Sequence, residues 1–158
     1  MIEEIYFENF RAGADKRWTF NTNTCPLKTF EIDGELKTTD RPKMQEPGDW
    51  QSFAYLGKLL VHLAGDLIGD TSEEYIDNRL RFMRVICPPW QPQPQKNRAW
   101  GTLYIKYYGV ERFKGDCTCD GVPDPGDMGF NPTVSEYSVT FKVFNPYWIG
   151  DSGNRYLI

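Results

Sequence analysis

The stretch EYSVTFKVF, residues 136–144, alternates polar and apolar residues with a period of two. Side chains on an extended strand point alternately to its two faces, so the apolar residues of this stretch share one face. That face carries Tyr137, Val139, Phe141 and Val143. Such alternation is typical of antiparallel sheets, which place one face in a core and leave the other in water. The stretch therefore predicts a half-buried antiparallel strand.

Similar alternation recurs along the chain, and we predict further strands where it does. These lie at residues 6–10, 27–32, 53–63, 101–108 and 110–119. Segments rich in Gly, Pro and polar residues separate them and predict long loops. The loops lie at about 34–52, 88–100 and 120–133. Within the second loop, the run PPWQPQPQ is typical of an extended, polyproline-like connector.

One helix is predicted, at about residues 72–87. Thr71 and Glu74 have the spacing of a capping box, and acidic residues lead while arginines follow, which suits the helix dipole. Apolar residues then recur at helical spacing and predict one core-facing stripe. The stripe consists of Ile76, Leu80, Met83 and Ile86 or Cys87, with Tyr75 and Phe82 beside it. Pro88 and Pro89 end the helix.

These elements together predict an α+β, mainly-β fold in one domain spanning residues 1–158. Strands precede and follow a single helix, so the expected architecture is an antiparallel β-sandwich or split barrel with the helix flanking one face. A chain of 158 residues is long enough to bury a substantial core.

Composition and charge exclude several functional classes. The formal net charge is −4, whereas broad affinity for nucleic acid or an anionic membrane needs clustered Lys and Arg. The first residues, Met-Ile-Glu-Glu, lack the basic start of a signal peptide, and no apolar run is long enough to span a membrane. We therefore expect a soluble chain that is made without export, with its four cysteines reduced.

No residue pattern points to catalysis, a metal or a cofactor. The acidic residues Asp116, Asp120, Asp124 and Asp127 lack the spacing of a calcium loop, and turn-forming residues explain them better.

One residue separates Cys117 from Cys119, and the sequence has no second cysteine pair to complete a zinc site. We therefore expect these two cysteines to be buried thiols. The only histidine, His62, has no nucleophile in a recognised motif and is interpreted as structural. We expect no enzyme activity and no cofactor.

The aromatic content is high, with five Trp, nine Tyr and ten Phe against one His. Exposed rings in such numbers favour either a platform that stacks on sugars or burial in a core and between subunits, where Tyr and Trp are enriched. Core and subunit interface is the favoured interpretation, and a sugar-binding surface is the alternative.

A series of segments in the second half resembles a known family. A strand leads into GDLIGD at 65–70, the helix follows, and GTLYI at 101–105 comes after the Pro-rich passage. The last long strand then closes on NPYW at 145–148. This arrangement is similar to the N-terminal domain of siphophage distal tail proteins, most clearly over residues 50–150. Members often continue into a galectin-like domain, and we do not carry the host-binding functions of that domain over to this sequence.

The resemblance implies a structural protein of a long non-contractile phage tail. It would form a hexameric ring at the distal end, between the tail tube protein and the tail-tip or hub protein. DNA would pass through the channel without specific binding, and the chain would reside in the virion tail tip after assembly in the host cytoplasm. The expected assembly contacts are Trp50, Trp90, Trp100, Tyr147 and Trp148. The alternative is a carbohydrate-binding β-sandwich module that contacts the host surface.

Overall fold

The fold is mainly antiparallel β-sheet with one helix in the described part, as the sequence predicts. The computed structural model describes residues 1–10, 15–42, 49–86 and 101–157, with the backbone alone at 35–42 and 49–56. The elements in chain order are β1 (Ile2–Asn9), β2 (Arg17–Phe20), β3 (Leu27–Pro42), β4 (Asp49–Ile68), α1 (Ser72–Ile86), β5 (Gly101–Tyr107), β6 (Arg112–Cys119), β7 (Val134–Val143), β8 (Trp148–Gly150) and β9 (Arg155–Tyr156).

All strands of the described residues belong to one sheet with the order β2-β1-β5-β6-β7-β4-β3, and the two ends of this strand order do not pair with each other. The short strand β8 pairs with β6 and carries β9 on its other side. The sheet is strongly curled, as contacts between aromatic rings from its two halves show. Phe7 of β1 lies 4.8 Å from Phe141 of β7 between ring centroids, although two strands separate β1 and β7 in the sheet.

The core fills the inside of this curl. The predicted alternation in β7 is confirmed, since Tyr137, Val139, Phe141 and Val143 are all buried. The helix closes the open side of the curl by packing on β1, β2 and β4. At its centre, Phe82 meets Trp18 of β2 edge to face, with ring centroids 5.4 Å apart.

The helix begins as predicted, but its buried stripe differs from the prediction. The Glu74 backbone N–H donates to Thr71 Oγ1 at 3.2 Å, and Glu74 Oε2 accepts from the Asp70 N–H at 3.2 Å. The side chains that enter the core are Tyr75, Phe82, Val85 and Ile86. Ile76 and Leu80 instead face solvent, because the large aromatic rings at 75 and 82 occupy the core side and rotate the stripe by about one residue.

The prediction of a loop at about 34–52 is wrong over most of that range. Residues 34–42 and 49–52 belong to β3 and β4, which pair from Pro42↔Asp49 back to the sheet. A polar sequence can form such a hairpin because backbone groups, not side chains, make the ladder. Within the predicted loop, residues 43–48, which include Pro47 and Gly48, lie outside the described residues.

Of the other two predicted loops, the one at 120–133 is confirmed and the one at 88–100 is not tested. Residues 120–133 contain no strand, apart from an isolated bridge that joins Asp124 to Ser138. Residues 88–100 lie outside the described residues. The short strand β2 was not predicted from the sequence.

Candidate assembly surface

The aromatic residues predicted to make assembly contacts are scattered. Trp50 lies in β4 where the backbone alone is described, and Trp90 and Trp100 lie outside the described residues. Tyr147 and Trp148 are neighbours, yet Tyr147 is 46% exposed and Trp148 is fully buried. The structure therefore brings no two of the five together on one outer surface of the described part.

Trp148 is a core residue of the subunit. Its indole lies against Gly115 of β6 so closely that a Cβ atom added there would be 3.0 Å from the ring. Because the ring has no exposed area, it offers a neighbouring subunit no surface to contact. The prediction that Trp148 makes an assembly contact is thus replaced by a role in holding β8 on β6.

Tyr147 lines a cleft of about 300 Å³ beside the same strands. Among its lining residues, the Thr102 hydroxyl donates to Asp116 Oδ1 at 2.8 Å, and the Tyr147 backbone N–H donates to Asn145 Oδ1 at 3.0 Å. Its lining is completed by Tyr104, Lys114, Gly115 and Ile149. The cleft thus combines two tyrosines with carboxylate, amide and ammonium groups.

The outer face of β1 and β5 carries a stack of rings and guanidinium groups that was not anticipated from the sequence. Tyr6 and Tyr104 stack with centroids 4.6 Å apart, and the guanidinium of Arg17 lies 4.2 Å from the Tyr6 ring centroid. Arg17 and Arg112 are each paired with a glutamate, Arg112 with Glu4 at 2.8 Å. Tyr6 and Tyr104 meet through the register of β1 with β5, which the sequence alone does not give. Because a glutamate pairs with each arginine, the stack does not form a basic strip.

Burial affects the ionisation of groups in and beside the core. It raises the pKa of the Cys25 thiol to about 11 and raises the pKa of the Tyr137 hydroxyl strongly. It also raises the pKa of Cys117 well above its usual value. Cys119 is buried as well, so both cysteines of this pair are buried as predicted, whereas Cys87 lies outside the described residues.

His62 lies on the polar face of β4. Its Nδ1 is 2.7 Å from Thr140 Oγ1, and its Nε2 is 3.6 Å from the Asp33 carboxylate. These neighbours are a hydroxyl on β7 and a carboxylate on β3, which suit a residue that links strands. Its position agrees with the structural interpretation.

A cavity of about 640 Å³ lies where the loop at 120–133 crosses β4 and β7. Acidic groups line it, including Asp124, Asp127 and Glu136. Lys28 reaches across to Asp66 at 2.7 Å and to Glu136 at 3.7 Å. No three His, Cys, Asp or Glu side chains among the described residues are grouped as a metal site would need.

The loop at 120–133 is tied to the helix by a polar network. The Arg79 guanidinium donates to the carbonyl oxygens of Pro125 at 3.1 Å and Gly126 at 2.7 Å. The Ser135 hydroxyl donates to the same Pro125 oxygen at 2.7 Å and accepts from the Tyr75 hydroxyl at 2.6 Å. Beyond these anchors the loop exposes Met128 and Phe130, the latter 98% exposed.

The two long strands β3 and β4 extend beyond the rest of the sheet. β7 pairs with β4 only from Leu59 to Ile68, whereas β4 begins at Asp49. We call residues 34–42 with 49–58 the hairpin arm. Within the described residues, the arm consists of two strands that pair only with each other.

Within the described ranges, no helix has the length and apolar character needed to cross a membrane.

Comparison with known proteins places the fold but gives no family assignment. No protein-family profile matches the chain, and a search of curated protein sequences finds no match. Among solved structures, the chain is similar to a chain of the phage p2 baseplate in its activated conformation with Ca, with TM-score 0.60 and 14% identity over 90% of this chain. The same baseplate with Sr gives TM-score 0.58 and 13% identity over 89%.

This chain corresponds to only 43% and 44% of the length of those two baseplate chains. A third similarity is to a chain in the tail of an empty GTA particle with C6 symmetry. It has TM-score 0.47 and 12% identity, and it covers 89% of this chain and 91% of that one. At these identities, the two baseplate matches show a shared fold.

Proposed function

We propose that this chain is a structural subunit of a phage tail, at its baseplate or tip end. The observation that carries the proposal is the fold, which matches a phage p2 baseplate chain over 90% of this chain at TM-score 0.60. The sequence of residues 50–150 also resembles distal tail proteins, and this resemblance supports the same class of particle. The proposed role is non-enzymatic and needs no cofactor.

In finer terms, the chain forms a ring, a hexamer, that joins the tail tube protein to the tip or hub protein. Its location is the tip of the virion tail, after assembly in the host cytoplasm. The ring leaves a channel through which DNA passes without specific binding. The net charge of −4 supports a surface without affinity for phosphates, since like charges repel. On the outer face of β1 and β5, the arginines are paired with glutamates, which also supports a lack of affinity for DNA phosphates.

The experiment is to purify the chain and determine its mass by size-exclusion chromatography with light scattering, followed by negative-stain electron microscopy. Six copies of an 18.4 kDa chain give about 110 kDa, and images should show a ring with a central opening. A gel-shift assay with duplex DNA should show no complex at physiological salt. A chain that stays monomeric at high concentration, alone and with tube and tip proteins, would contradict the proposal.

A second candidate function, carbohydrate binding, is favoured by one observation. The cleft beside Tyr147 combines exposed tyrosine with hydrogen-bonding groups, a combination that suits the apolar face and hydroxyls of a sugar. Titration of monosaccharides, monitored by NMR, would test it. Loss of binding in Tyr147→Ala, with a monomeric chain, would favour this function over the ring.

A further inference from the structure

A column of flat side-chain groups on the outer face of the sheet ends at the cleft of about 300 Å³, which we call the tyrosine cleft. The guanidinium of Arg17 lies 4.2 Å from the Tyr6 ring centroid, and the Tyr6 ring stacks on Tyr104 at 4.6 Å. The planes of the two rings differ by 17°. The column holds Tyr104 in one orientation, because its ring cannot turn without losing the contact with Tyr6.

The second face of the Tyr104 ring borders the tyrosine cleft. Tyr6 lies on β1, the cleft extends towards β6, and β5 runs between these two strands. Tyr6 is the only described ring that stacks on Tyr104. Lys114 is the cross-strand neighbour of Tyr104 on β6, yet its ammonium group makes no ion pair with another described residue. The column therefore stops at Tyr104 and leaves one ring face open.

A buried hydroxyl orients the carboxylate of the cleft. Thr102 is 4% exposed, and its hydroxyl donates to Asp116 Oδ1 at 2.8 Å. Asp116 itself is exposed. A carboxylate has about four acceptor positions, so this one can accept further donors from outside the protein. Because the Thr102 hydroxyl is fixed inside the subunit, the carboxylate is already oriented before a ligand arrives.

An amide group of the cleft is oriented in a similar way. Asn145 Oδ1 accepts from the Tyr147 backbone N–H at 3.0 Å. The amide nitrogen of Asn145 carries two further donors, and it makes no hydrogen bond to another described residue. The tyrosine cleft thus offers an oriented acceptor, an oriented donor and the ammonium of Lys114 as a second donor.

These features match a sugar ring in chemistry and in size. A pyranose has an apolar face of C–H groups and an edge of hydroxyl groups that both donate and accept. Tyr104 offers a surface for the apolar face, while Asp116 and Asn145 offer an acceptor and a donor for neighbouring hydroxyl groups. A volume of about 300 Å³ is at the small end for ligand sites, which suits a short saccharide end. An anionic ligand fits less well, because the Asp116 carboxylate repels it.

We infer that the tyrosine cleft binds an uncharged sugar ring, with its apolar face on Tyr104 and two neighbouring hydroxyl groups on Asp116 and Asn145. Thr102 is a positioning residue, since it acts on the sugar only through Asp116. The inference rests on the carbohydrate-binding candidate described above and deepens it by naming the class of ligand and the residues that hold it. It does not depend on formation of the ring.

The experiment titrates isotope-labelled protein with single sugars and follows the backbone amide shifts by NMR. The probes are D-glucose, D-galactose, N-acetyl-D-glucosamine and L-rhamnose at millimolar concentrations, because a single sugar ring makes few contacts. At least one of them should shift the amides of Thr102, Gly115 and Tyr147 most strongly. Among its analogues with one hydroxyl replaced by hydrogen, at least one should bind about tenfold more weakly, since a polar group of the cleft then loses its partner.

Variants test the two residues assigned to contact the sugar. Asp116→Asn and Tyr104→Leu should each weaken binding of the same sugar about tenfold. The matched control is Asp120→Asn, which changes an exposed acidic residue just past the end of β6 and should bind as the wild type does. Far-UV circular dichroism checks that each variant is folded. If Tyr104→Leu unfolds, Tyr104→Phe replaces it and should retain binding, because the ring is kept.

A pair of substitutions at Thr102 tests its positioning role. Thr102→Val removes the hydroxyl at nearly constant volume and should weaken binding about threefold to tenfold. Thr102→Ser restores the hydroxyl and should restore the affinity. A purely structural residue would lower the melting temperature in both variants without this difference in sugar affinity.

The possible results separate this inference from the functions proposed above. Absence of binding by all four sugars would refute the inference together with the carbohydrate candidate, and the ring would still stand on light scattering. Binding that persists in both Asp116→Asn and Tyr104→Leu would refute the assigned site while leaving carbohydrate binding in place. Shifts of the cleft amides with adenosine or tryptophan amide, but with none of the sugars, would show a site for aromatic groups and overturn the choice of ligand.

Discussion

Replacing Trp148 with Ala should destabilise the isolated subunit severely. The indole is fully buried against Gly115, and its Nε1 has no hydrogen-bond partner among the described residues. The substitution therefore removes apolar contact area without breaking a hydrogen bond. A tryptophan that buries about 200 Å² contributes about 5 kcal/mol by area, and Trp→Ala substitutions in cores cost about 3–5 kcal/mol.

A loss of this size is a large part of the free energy of unfolding, which is about 5–15 kcal/mol for most domains. Urea unfolding followed by far-UV circular dichroism measures it, since the lost tryptophan would disturb a fluorescence signal. With a slope of about 2 kcal/mol per molar urea, the midpoint should fall by about 2 M. The protein concentration is kept low and equal in all samples, because association stabilises the folded state.

The control is the adjacent substitution Tyr147→Ala. This side chain is 46% exposed, and the hydrogen bond to Asn145 is made by the Tyr147 backbone, so the cost should be under about 1 kcal/mol. Equal midpoints for Trp148→Ala and wild type would refute the assignment of this tryptophan to the core. Equal destabilisation by both substitutions would refute the reasoning from burial.

Three further perturbations test other contacts. Arg79→Met should release the loop at 120–133 and speed its amide hydrogen exchange at least tenfold, because each hydrogen bond from the charged guanidinium contributes about 1.5–3 kcal/mol. The control Arg84→Met, at an exposed position, should leave the exchange of this loop unchanged. Gly101→Ala should lower the melting temperature by several degrees, because a Cβ there would lie 2.1 Å from a backbone oxygen of β1; an unchanged value would contradict the close approach. Burial raises the pKa of Cys25 to about 11, so the folded state disfavours the thiolate. The stability that this neutral thiol contributes is fully present below the unfolded pKa, near 8.5, and is lost as the pH rises towards 11. Over that pH range, the melting temperature of Cys25→Ala should therefore fall less than that of the wild type. Parallel curves of melting temperature against pH for the two proteins would contradict this assignment.

The core strands could be predicted from the sequence because burial on one face imposes a period of two. Tyr137, Val139 and Phe141 follow this rule, and all three are buried. The helix start was predictable for a local reason, since capping depends on residues three apart such as Thr71 and Glu74. These features depend on neighbours along the chain.

What could not be predicted depends on packing between distant segments. The buried side of the helix is set by which side chains fit against β2 and β7, and Phe82 fits there better than Leu80. The hairpin arm was missed because a polar sequence was equated with a loop. Trp148 was expected at an interface, but the small residue Gly115 on the facing strand makes room for it in the core.

The strand order has a consequence for how the chain folds during synthesis. β1 is made well before one of its two partners in the sheet, because that partner, β5, ends only at Tyr107. At about 5–20 residues per second, the ribosome needs about 5–20 seconds to deliver that partner. Until then β1 can pair only with β2, and its other edge, with Ile5 and Phe7, remains open. Nascent chains of neighbouring ribosomes can pair through that edge, so slower translation should increase misassembly even though the finished subunit leaves β1 with partners on both sides.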